Sequence, residues 1–174
     1  MRRTLALGTV LTALALGPAA ATAAAPAPKK ITFNGVGQVK LGKTFKSVRD
    51  AGLVGKLHKG TCDAAGPNAL PFAKLRSPLQ GTVEFTKGTP HRVNTITIRG
   101  GAEARGVGIG DKLKDIKAKF PKRKVDHSQE DVFQAFFVFV PRAQPVGAIK
   151  MMFIIDSDTR KITSIGVPVV PLCE

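Results

Sequence analysis

Apolar residues recur three and four positions apart in two stretches of the chain, residues 41–52 and 109–120. The apolar positions are Phe45 and Val48 in the first stretch and Leu113, Ile116 and Phe120 in the second. Residues at this spacing fall on one side of a helix, where they can pack against a core. The pattern therefore predicts two short amphipathic helices.

Polar and turn-forming residues mark where these helices begin and end. Thr44 and Asp111 can accept hydrogen bonds from the free N–H groups of a first turn, so we predict them as the N-caps. Gly52 and Pro121 follow the last apolar position of each helix, and both residue types commonly terminate helices. The predicted helices are therefore short, with strands expected on either side.

Five stretches have the pattern of β-strands. Residues 83–85 and 92–98 alternate apolar and polar side chains, which is typical of a strand with one buried face. Residues 131–140, 148–155 and 162–167 are more continuously apolar and rich in Phe, Ile and Val. Turn-forming sequences separate these stretches, so the strands are predicted to form antiparallel hairpins.

The two helical stretches, LGKTFKSVRDAG and IGDKLKDIKAKF, align at an offset of 68 positions, with Gly42 matching Gly110. The strand sequences RVNTITI and KITSIGV align in the same order at an offset of 69. Two matches in the same order at nearly one offset indicate a duplicated unit. We therefore predict an α+β fold with two similar modules, 31–100 and 101–174, each a helix packed on an antiparallel sheet.

Residues 37–44, GQVKLGKT, match the phosphate-loop pattern G-x-x-x-x-G-K-[ST]. A phosphate loop follows a buried parallel strand, but the alternation of strands and helices that builds such a sheet is absent here. The matching stretch of the second module keeps the glycine and loses the Lys-Thr pair. We therefore interpret residues 37–44 as the start of a helix and expect no nucleotide and no cofactor.

The N-terminus has the composition of a secretory signal peptide. Arg2 and Arg3 precede an apolar run of about 12 residues, which is shorter than the roughly 20 residues of a membrane-spanning helix. The predicted peptide is residues 1–23, with cleavage after Ala23 or one residue later, followed by a flexible lead-in, 24–30. The twin-arginine route is an alternative to general secretion. We predict a secreted protein, extracellular or associated with the cell wall, with no membrane span after cleavage.

The chain has two cysteines, Cys62 and Cys173. Because an exported protein folds in an oxidising compartment, the pair is predicted to form a disulfide. A catalytic thiol or a zinc site is a weaker alternative, since Cys173 is next to the C-terminus and zinc needs further ligands.

The formal net charge is +15, and the sequence contains no Trp or Tyr. Outside a cell, such a charge favours an anionic envelope polymer or an acidic protein as partner, although it can also serve only to keep the protein soluble. Without aromatic residues of these types and without a known motif, nucleic acid is not expected as a partner.

Basic residues are densest in KLKDIKAKFPKRK, on and after the second predicted helix. We predict that these side chains form a face for an anionic partner: Lys112, Lys114, Lys117, Lys119, Lys122, Arg123 and Lys124. They lie between the apolar positions of the helix, so they are expected to point outward. The alternative is a helix face that is merely solvated.

Other residues with possible chemistry do not form a known motif. His58, His91 and His127 are far apart in the sequence, and no metal, nucleophile or paired-carboxylate pattern surrounds them. The turn sequence DSDTRK begins like a calcium loop but lacks the glycine and a third ligand, so we predict a hairpin turn. The phenylalanines of residues 133–139 are predicted to be core. We therefore predict a protein without enzymatic activity.

The succession of a signal peptide, VKLGKTFKSV, a cysteine, a strand hairpin and a second GIGDKLKDI resembles a broad set of exported proteins of high-GC Gram-positive bacteria. It is also similar to the tandem modules of the β-lactamase-inhibitor protein family and to a lipoprotein subunit of the outer-membrane barrel assembly machine. The resemblance implies an α+β fold and a protein-binding role.

These observations together predict a secreted binding protein that acts at or outside the cell envelope through its basic face. An inhibitor of a secreted hydrolase is the alternative function. A small hydrolase that uses residues without a recognisable motif is the third.

Overall fold

The computed structural model describes residues 27–60, 69–141 and 149–172. The predicted signal peptide and both cysteines, Cys62 and Cys173, lie outside these ranges. Both of these predictions therefore stay predictions.

Within these ranges the chain forms twelve strands and three short helices. The strands are β1 (Lys29–Thr32), β2 (Gly35–Val36), β3 (Val39–Lys40), β4 (Phe72–Lys74), β5 (Gln80–Phe85), β6 (Val93–Gly100), β7 (Ala102–Ala104), β8 (Val107–Gly108), β9 (Lys124–Asp126), β10 (Ala135–Pro141), β11 (Ile149–Asp156) and β12 (Ile162–Val167). The helices are α1 (Phe45–Asp50), α2 (Leu113–Lys119) and α3 (Glu130–Phe133).

The strands form two sheets, which confirms a mixed α+β fold. The larger sheet has seven strands in the order β4-β5-β6-β12-β11-β10-β9, and the smaller has five in the order β3-β2-β1-β7-β8. All pairs in the larger sheet are antiparallel, whereas β1 pairs in parallel with β7 in the smaller one. The larger sheet joins strands from both halves of the chain through the β6–β12 pair.

One continuous core covers one face of the seven-stranded sheet. Its strand residues, such as Ile96 and Phe153, pack in the same cluster as Val48 of α1 and Ile116 of α2. Short strands of the smaller sheet contribute too, for example through Val36. The main core therefore lies between the larger sheet on one side and the helices with the smaller sheet on the other.

A second, smaller cluster lies on the opposite face of the seven-stranded sheet. Phe137 of β10 and Met152 of β11 pack there with Val170, which follows the last strand. The backbone of Val169 and Val170 passes so close to Gly166 of β12 that a Cβ atom at this glycine would overlap it. The C-terminal segment is therefore packed flat on the sheet, and only glycine leaves room for it.

Helix α1 begins as predicted and α2 does not. The Thr44 side chain accepts a hydrogen bond from the Ser47 N–H at 3.2 Å, as an N-cap does. In α2 the N-cap is Lys112, and the predicted cap Asp111 instead accepts from the Gly108 N–H at 2.8 Å. The Asp111 prediction was wrong because this carboxylate closes the preceding turn.

The interpretation of residues 37–44 as the start of a helix is confirmed only at the last residue of the stretch. Gly37 lies in the turn between β2 and β3, and these two strands are antiparallel. The stretch then ends at Thr44, the N-cap of α1. Gly42 and Lys43 therefore connect a hairpin to the start of a short helix.

The predicted strand 131–140 is only partly correct. Its first residues form the short helix α3, and β10 begins after Gln134, which has a left-handed backbone with φ of 50°. Strand β11 ends at Asp156, opposite Ala135. Residues 131–133 therefore have no strand to pair with, a constraint that local hydrophobicity does not reveal.

Two places in the fold share a pattern of backbone hydrogen bonds. The Gly42 N–H donates to the Val93 carbonyl at 2.8 Å, and the Gly110 N–H donates to the Ile162 carbonyl at 2.9 Å. The return bonds, both 2.8 Å long, are Val93 N–H to the Lys43 carbonyl and Ile162 N–H to the Asp111 carbonyl. Helices α1 and α2 thus begin beside the starts of β6 and β12, respectively.

The register between β6 and β12 is also symmetric. Thr97 pairs with Gly166, which lies 69 positions later, and the flanking pairs are Ile96 with Val167 and Ile98 with Ile165. At an offset of 69, Ile96 corresponds to Ile165 and Ile98 to Val167. The pairing is therefore symmetric about a local twofold axis through the Thr97–Gly166 pair.

We expect Gly166→Ala to destabilise the protein by about 1–3 kcal/mol, because the added methyl group must displace the backbone of Val169 and Val170. Urea unfolding followed by circular dichroism measures this change. Gly88→Ala is the matched control, since Gly88 has open space around its Cβ position and should cost little. A Gly166→Ala variant as stable as the control would show that the C-terminal segment does not rest on the sheet.

Candidate functional site

The predicted basic residues lie on and after α2. Six of the seven side chains are exposed: Lys112, Lys114, Lys117, Lys119, Lys122 and Lys124. Arg123 is half-buried and donates to the Pro121 carbonyl at 3.3 Å. In the part of the chain that the structure describes, none of the seven forms an ion pair with a carboxylate.

The fold does not keep all seven cations on one surface. Lys124 lies in β9 and pairs with Phe139 of β10. The Phe139 side chain packs with the smaller cluster, on the face that the C-terminal segment covers. Its neighbour Val125 packs against the main core, as α2 does. Because neighbouring residues of a strand point to opposite faces, Lys124 is on the other side of the sheet from α2.

The remaining exposed lysines define what we call the basic helix surface: Lys112, Lys114, Lys117, Lys119 and Lys122. Lys114 and Lys117 are three residues apart and so are neighbours on one flank of the helix. Lys119 emerges from another flank, and Lys112 is the N-cap. The surface therefore wraps around the exposed side of α2 while Leu113 and Ile116 face the core.

A cleft of about 610 Å³ lies beside the C-terminal end of α2. It opens between β1, the β7–β8 turn and the residue that ends α2. Its lining residues are Pro28, Lys29, Lys30, Ile31, Thr32, Phe33, Glu103, Ala104, Arg105, Gly106, Phe120 and Met151. We refer to it as the β1 cleft.

The basic residues of the β1 cleft include two from the predicted flexible lead-in, 24–30. Lys29 and Lys30 belong to β1, where they pair with Ala102 and Glu103 of β7. The Lys29 N–H also donates to the Gly101 carbonyl at 3.0 Å. Parallel pairing across more than 70 residues of sequence brings these lysines to the cleft, and no local pattern could have indicated it.

Arg105 connects the cleft to the basic helix surface. Its guanidinium donates to the Lys119 carbonyl at 3.2 Å and lies 5.2 Å from the centre of the Phe120 ring. A cation at the carbonyl end of a helix is favourable, and so is one above an aromatic face. The side chain is therefore held at the edge of the cleft before any partner binds.

The carboxylates with shifted pKa values lie outside the β1 cleft. Burial raises the pKa of Glu84, although the hydrogen bond from the Thr95 hydroxyl opposes this. A hydrogen bond from the Ser157 hydroxyl, followed by the contact with His127, lowers the pKa of Glu130. Hydrogen bonds from neighbouring residues also lower the pKa values of three surface carboxylates, Asp50, Asp126 and Asp156.

The three histidines lie in separate parts of the fold. His58 stacks on Phe72, His127 stacks on Phe136, and the His91 Nδ1 lies 2.7 Å from the Thr86 carbonyl oxygen. Among the residues described, no three His, Cys, Asp or Glu side chains are grouped so that they could hold a metal ion.

The DSDTRK sequence forms the hairpin turn predicted for it. The Asp156 carboxylate accepts from the Thr159 N–H at 2.8 Å and from its hydroxyl at 2.7 Å. Both donors bind Oδ1 of Asp156, so this carboxylate closes the turn.

No family model matches the chain, and no curated protein sequence or solved structure is significantly similar to it. None of the helices in the described ranges has the length and apolar character needed to cross a bilayer.

We expect Glu130→Gln to lower stability at pH 7, because the charged carboxylate accepts from Ser157 and contacts His127 and Arg160. A lowered pKa means that this contribution is present above the ordinary glutamate value of about 4.3 and is lost as the pH falls through the folded-state pKa. Thermal unfolding between pH 3 and pH 7 should show the two curves converging at the acid end.

Asp131→Asn is the control for this experiment, since it removes an exposed carboxylate from the same helix. It should change stability little at any pH. If the difference in stability between wild type and Glu130→Gln did not change with pH, the charged Glu130 carboxylate would not be its cause.

Proposed function

We propose that this protein is a secreted, non-enzymatic binding protein that acts at or outside the cell envelope and holds an anionic partner on its basic helix surface. The observation that carries the proposal is the set of exposed lysines on α2 that lack carboxylate partners in the described structure. An anionic polymer is the partner that this arrangement fits best, because a repeating anion can meet cations spread around a curved helix surface.

Helix stability explains only some of these lysines. Lys117 and Lys119 lie in the last turn of α2, where cations interact favourably with the helix dipole. Lys112 and Lys114 lie at the first turn, where the dipole disfavours a positive charge. Asp115 accepts from the Lys112 N–H at 3.0 Å and is the only acidic residue in that turn. Lys112 and Lys114 therefore gain nothing from the helix, which supports a role in binding.

Several charges close together also favour binding through long-range attraction. The chain carries a formal net charge of +15, so an anionic polymer is drawn to it before specific contacts form. Such attraction is screened over about 8–10 Å at physiological salt. Binding through this surface should therefore weaken steeply as salt is added.

We also propose that the chain consists of two similar modules, 31–100 and 101–174. The matching hydrogen bonds at Gly42 and Gly110, and the symmetric register about Thr97 and Gly166, support this proposal. Export with removal of residues 1–23, and a disulfide between Cys62 and Cys173, belong to the same proposal. These two features stay predictions from the sequence.

We expect the triple variant Lys112→Gln, Lys114→Gln and Lys117→Gln to bind an anionic wall polymer at least tenfold more weakly, because three unpaired charges are lost from one surface. Co-sedimentation with purified poly(glycerol phosphate) at 50 and 200 mM salt measures the effect. Wild-type binding should fall with salt, and the variant should respond less to it.

The matched control neutralises three exposed lysines in the first half of the chain, Lys56, Lys59 and Lys74. It has the same net charge as the test variant and should retain most of the binding. Equal loss in both triple variants, or binding that does not change with salt, would contradict a specific basic helix surface.

We expect Gly42→Ala and Gly110→Ala to destabilise the protein by similar amounts, about 1–2 kcal/mol each. Both glycines have positive φ, 78° and 91°, and both have open space around the Cβ position, so the cost is backbone strain alone. Urea unfolding measures it. A large cost at one glycine and none at the other would contradict equivalent positions in two modules.

A further inference from the structure

We propose that the β1 cleft binds one amphipathic anion, a molecule with a carboxylate or phosphate head group and a single apolar chain. This inference goes beyond the proposed function, because a discrete ligand would occupy a cleft that the polymer-binding surface does not include. It depends on the apolar interior of the cleft, its basic edge and the fixed position of Arg105.

The interior of the cleft is apolar and belongs to the main core. Ile31, Ala104, Phe120 and Met151 line it and are buried, and Phe33 adds a half-buried aromatic ring. These side chains come from β1, β7, the end of α2 and β11, so the packed fold holds the surface in place. The volume of about 610 Å³ is in the range of pockets that bind small organic ligands.

The edge of the cleft is basic. Lys29, Lys30 and Arg105 line it together with one acidic residue, Glu103. No ion pair of the described chain involves any of these four residues. An anionic head group would therefore find cations that are not already neutralised, while its chain could cover the apolar interior. Charge complementarity of this kind selects an anion over a neutral or cationic amphiphile.

Arg105 has a backbone conformation that does not suit an arginine. Arg105 and Gly106 have φ of 54° and 76°, as in the two-residue turns that favour Asn or Gly at the first position. The turn between β2 and β3 has Gly37 at the matching place, with φ of 49°. A non-glycine residue in this region costs about 1–2 kcal/mol. Contacts with Phe120 and Lys119 offset part of that cost and fix the side chain.

The Arg105 guanidinium still has N–H donors that can bind a ligand. It carries five N–H groups, and within the described residues its one hydrogen bond goes to the Lys119 carbonyl. The remaining donors suit the paired oxygens of a carboxylate or a phosphate, which arginine binds in a bidentate manner. Arg105 can therefore bind an anion while it keeps its contacts with Phe120 and Lys119.

Isothermal titration of the full-length mature protein with dodecanoate and with dodecyl phosphate, both below their micelle concentrations, tests the proposal. We expect at least one of them to bind at one molecule per chain, and their relative affinities distinguish a fatty-acid from a lipid-phosphate head group. Inorganic phosphate should show no binding, and neutral dodecyl maltoside should bind at least tenfold more weakly. Equal binding of the neutral and anionic amphiphiles, or binding of many molecules per chain, would overturn the proposal.

Two double variants distinguish ligand binding in the β1 cleft from binding on the basic helix surface. Lys29→Gln combined with Arg105→Gln should weaken binding of the anionic amphiphile at least tenfold. The control Lys114→Gln with Lys117→Gln removes the same charge and should leave this binding within about twofold. Equal weakening by both pairs would overturn the proposal, because it would show that net charge alone attracts the ligand.

A second variant tests the cleft without changing its charge. Thr32→Trp places a large side chain at an exposed residue of the cleft lining, so it should abolish binding while the protein remains folded by circular dichroism. Unchanged binding in this folded variant would overturn the proposal. Polymer binding by Thr32→Trp should persist, so failure of the cleft proposal and failure of the proposed function give different results.

Discussion

The pairing of β6 with β12 is the interaction on which the rest of the fold depends. It joins strands from the two halves of the chain into one seven-stranded sheet, so that a single core forms where two small ones would otherwise be needed. A small domain buries a lower fraction of its surface than a larger one and gains less from the hydrophobic effect. The shared sheet therefore stabilises both halves of the chain through one larger core.

The two faces of this sheet are covered by different parts of the chain. The inner face receives α1 and α2, and the outer face carries the Phe137–Met152 cluster. The C-terminal segment covers the apolar part at Gly166, where the lack of a side chain lets two backbones approach closely. An apolar patch that would otherwise face water is thereby buried.

Three cations of the chain lie where their charge or their backbone conformation has a local cost. Lys112 and Lys114 oppose the dipole of α2, and Arg105 has a backbone conformation that glycine adopts at lower cost. Exposed charges contribute little to folding even when they are paired. These three positions support both proposals, which share an anion as the partner.

The amino-acid sequence determined the local features of this protein. The spacing of Phe45 and Val48 located α1, and that of Leu113 and Ile116 located α2, because a helix face has a fixed period. Tertiary structure decided the features that depend on distant residues: the end of β11 left residues 131–133 without a partner strand, and Asp111 closed a turn and did not cap a helix. The β1 cleft belongs to the same class, since Lys29 and Arg105 meet only through the parallel pairing of β1 with β7. Local periodicity carries no information about such pairing, because its energy comes from contacts between segments far apart in the chain.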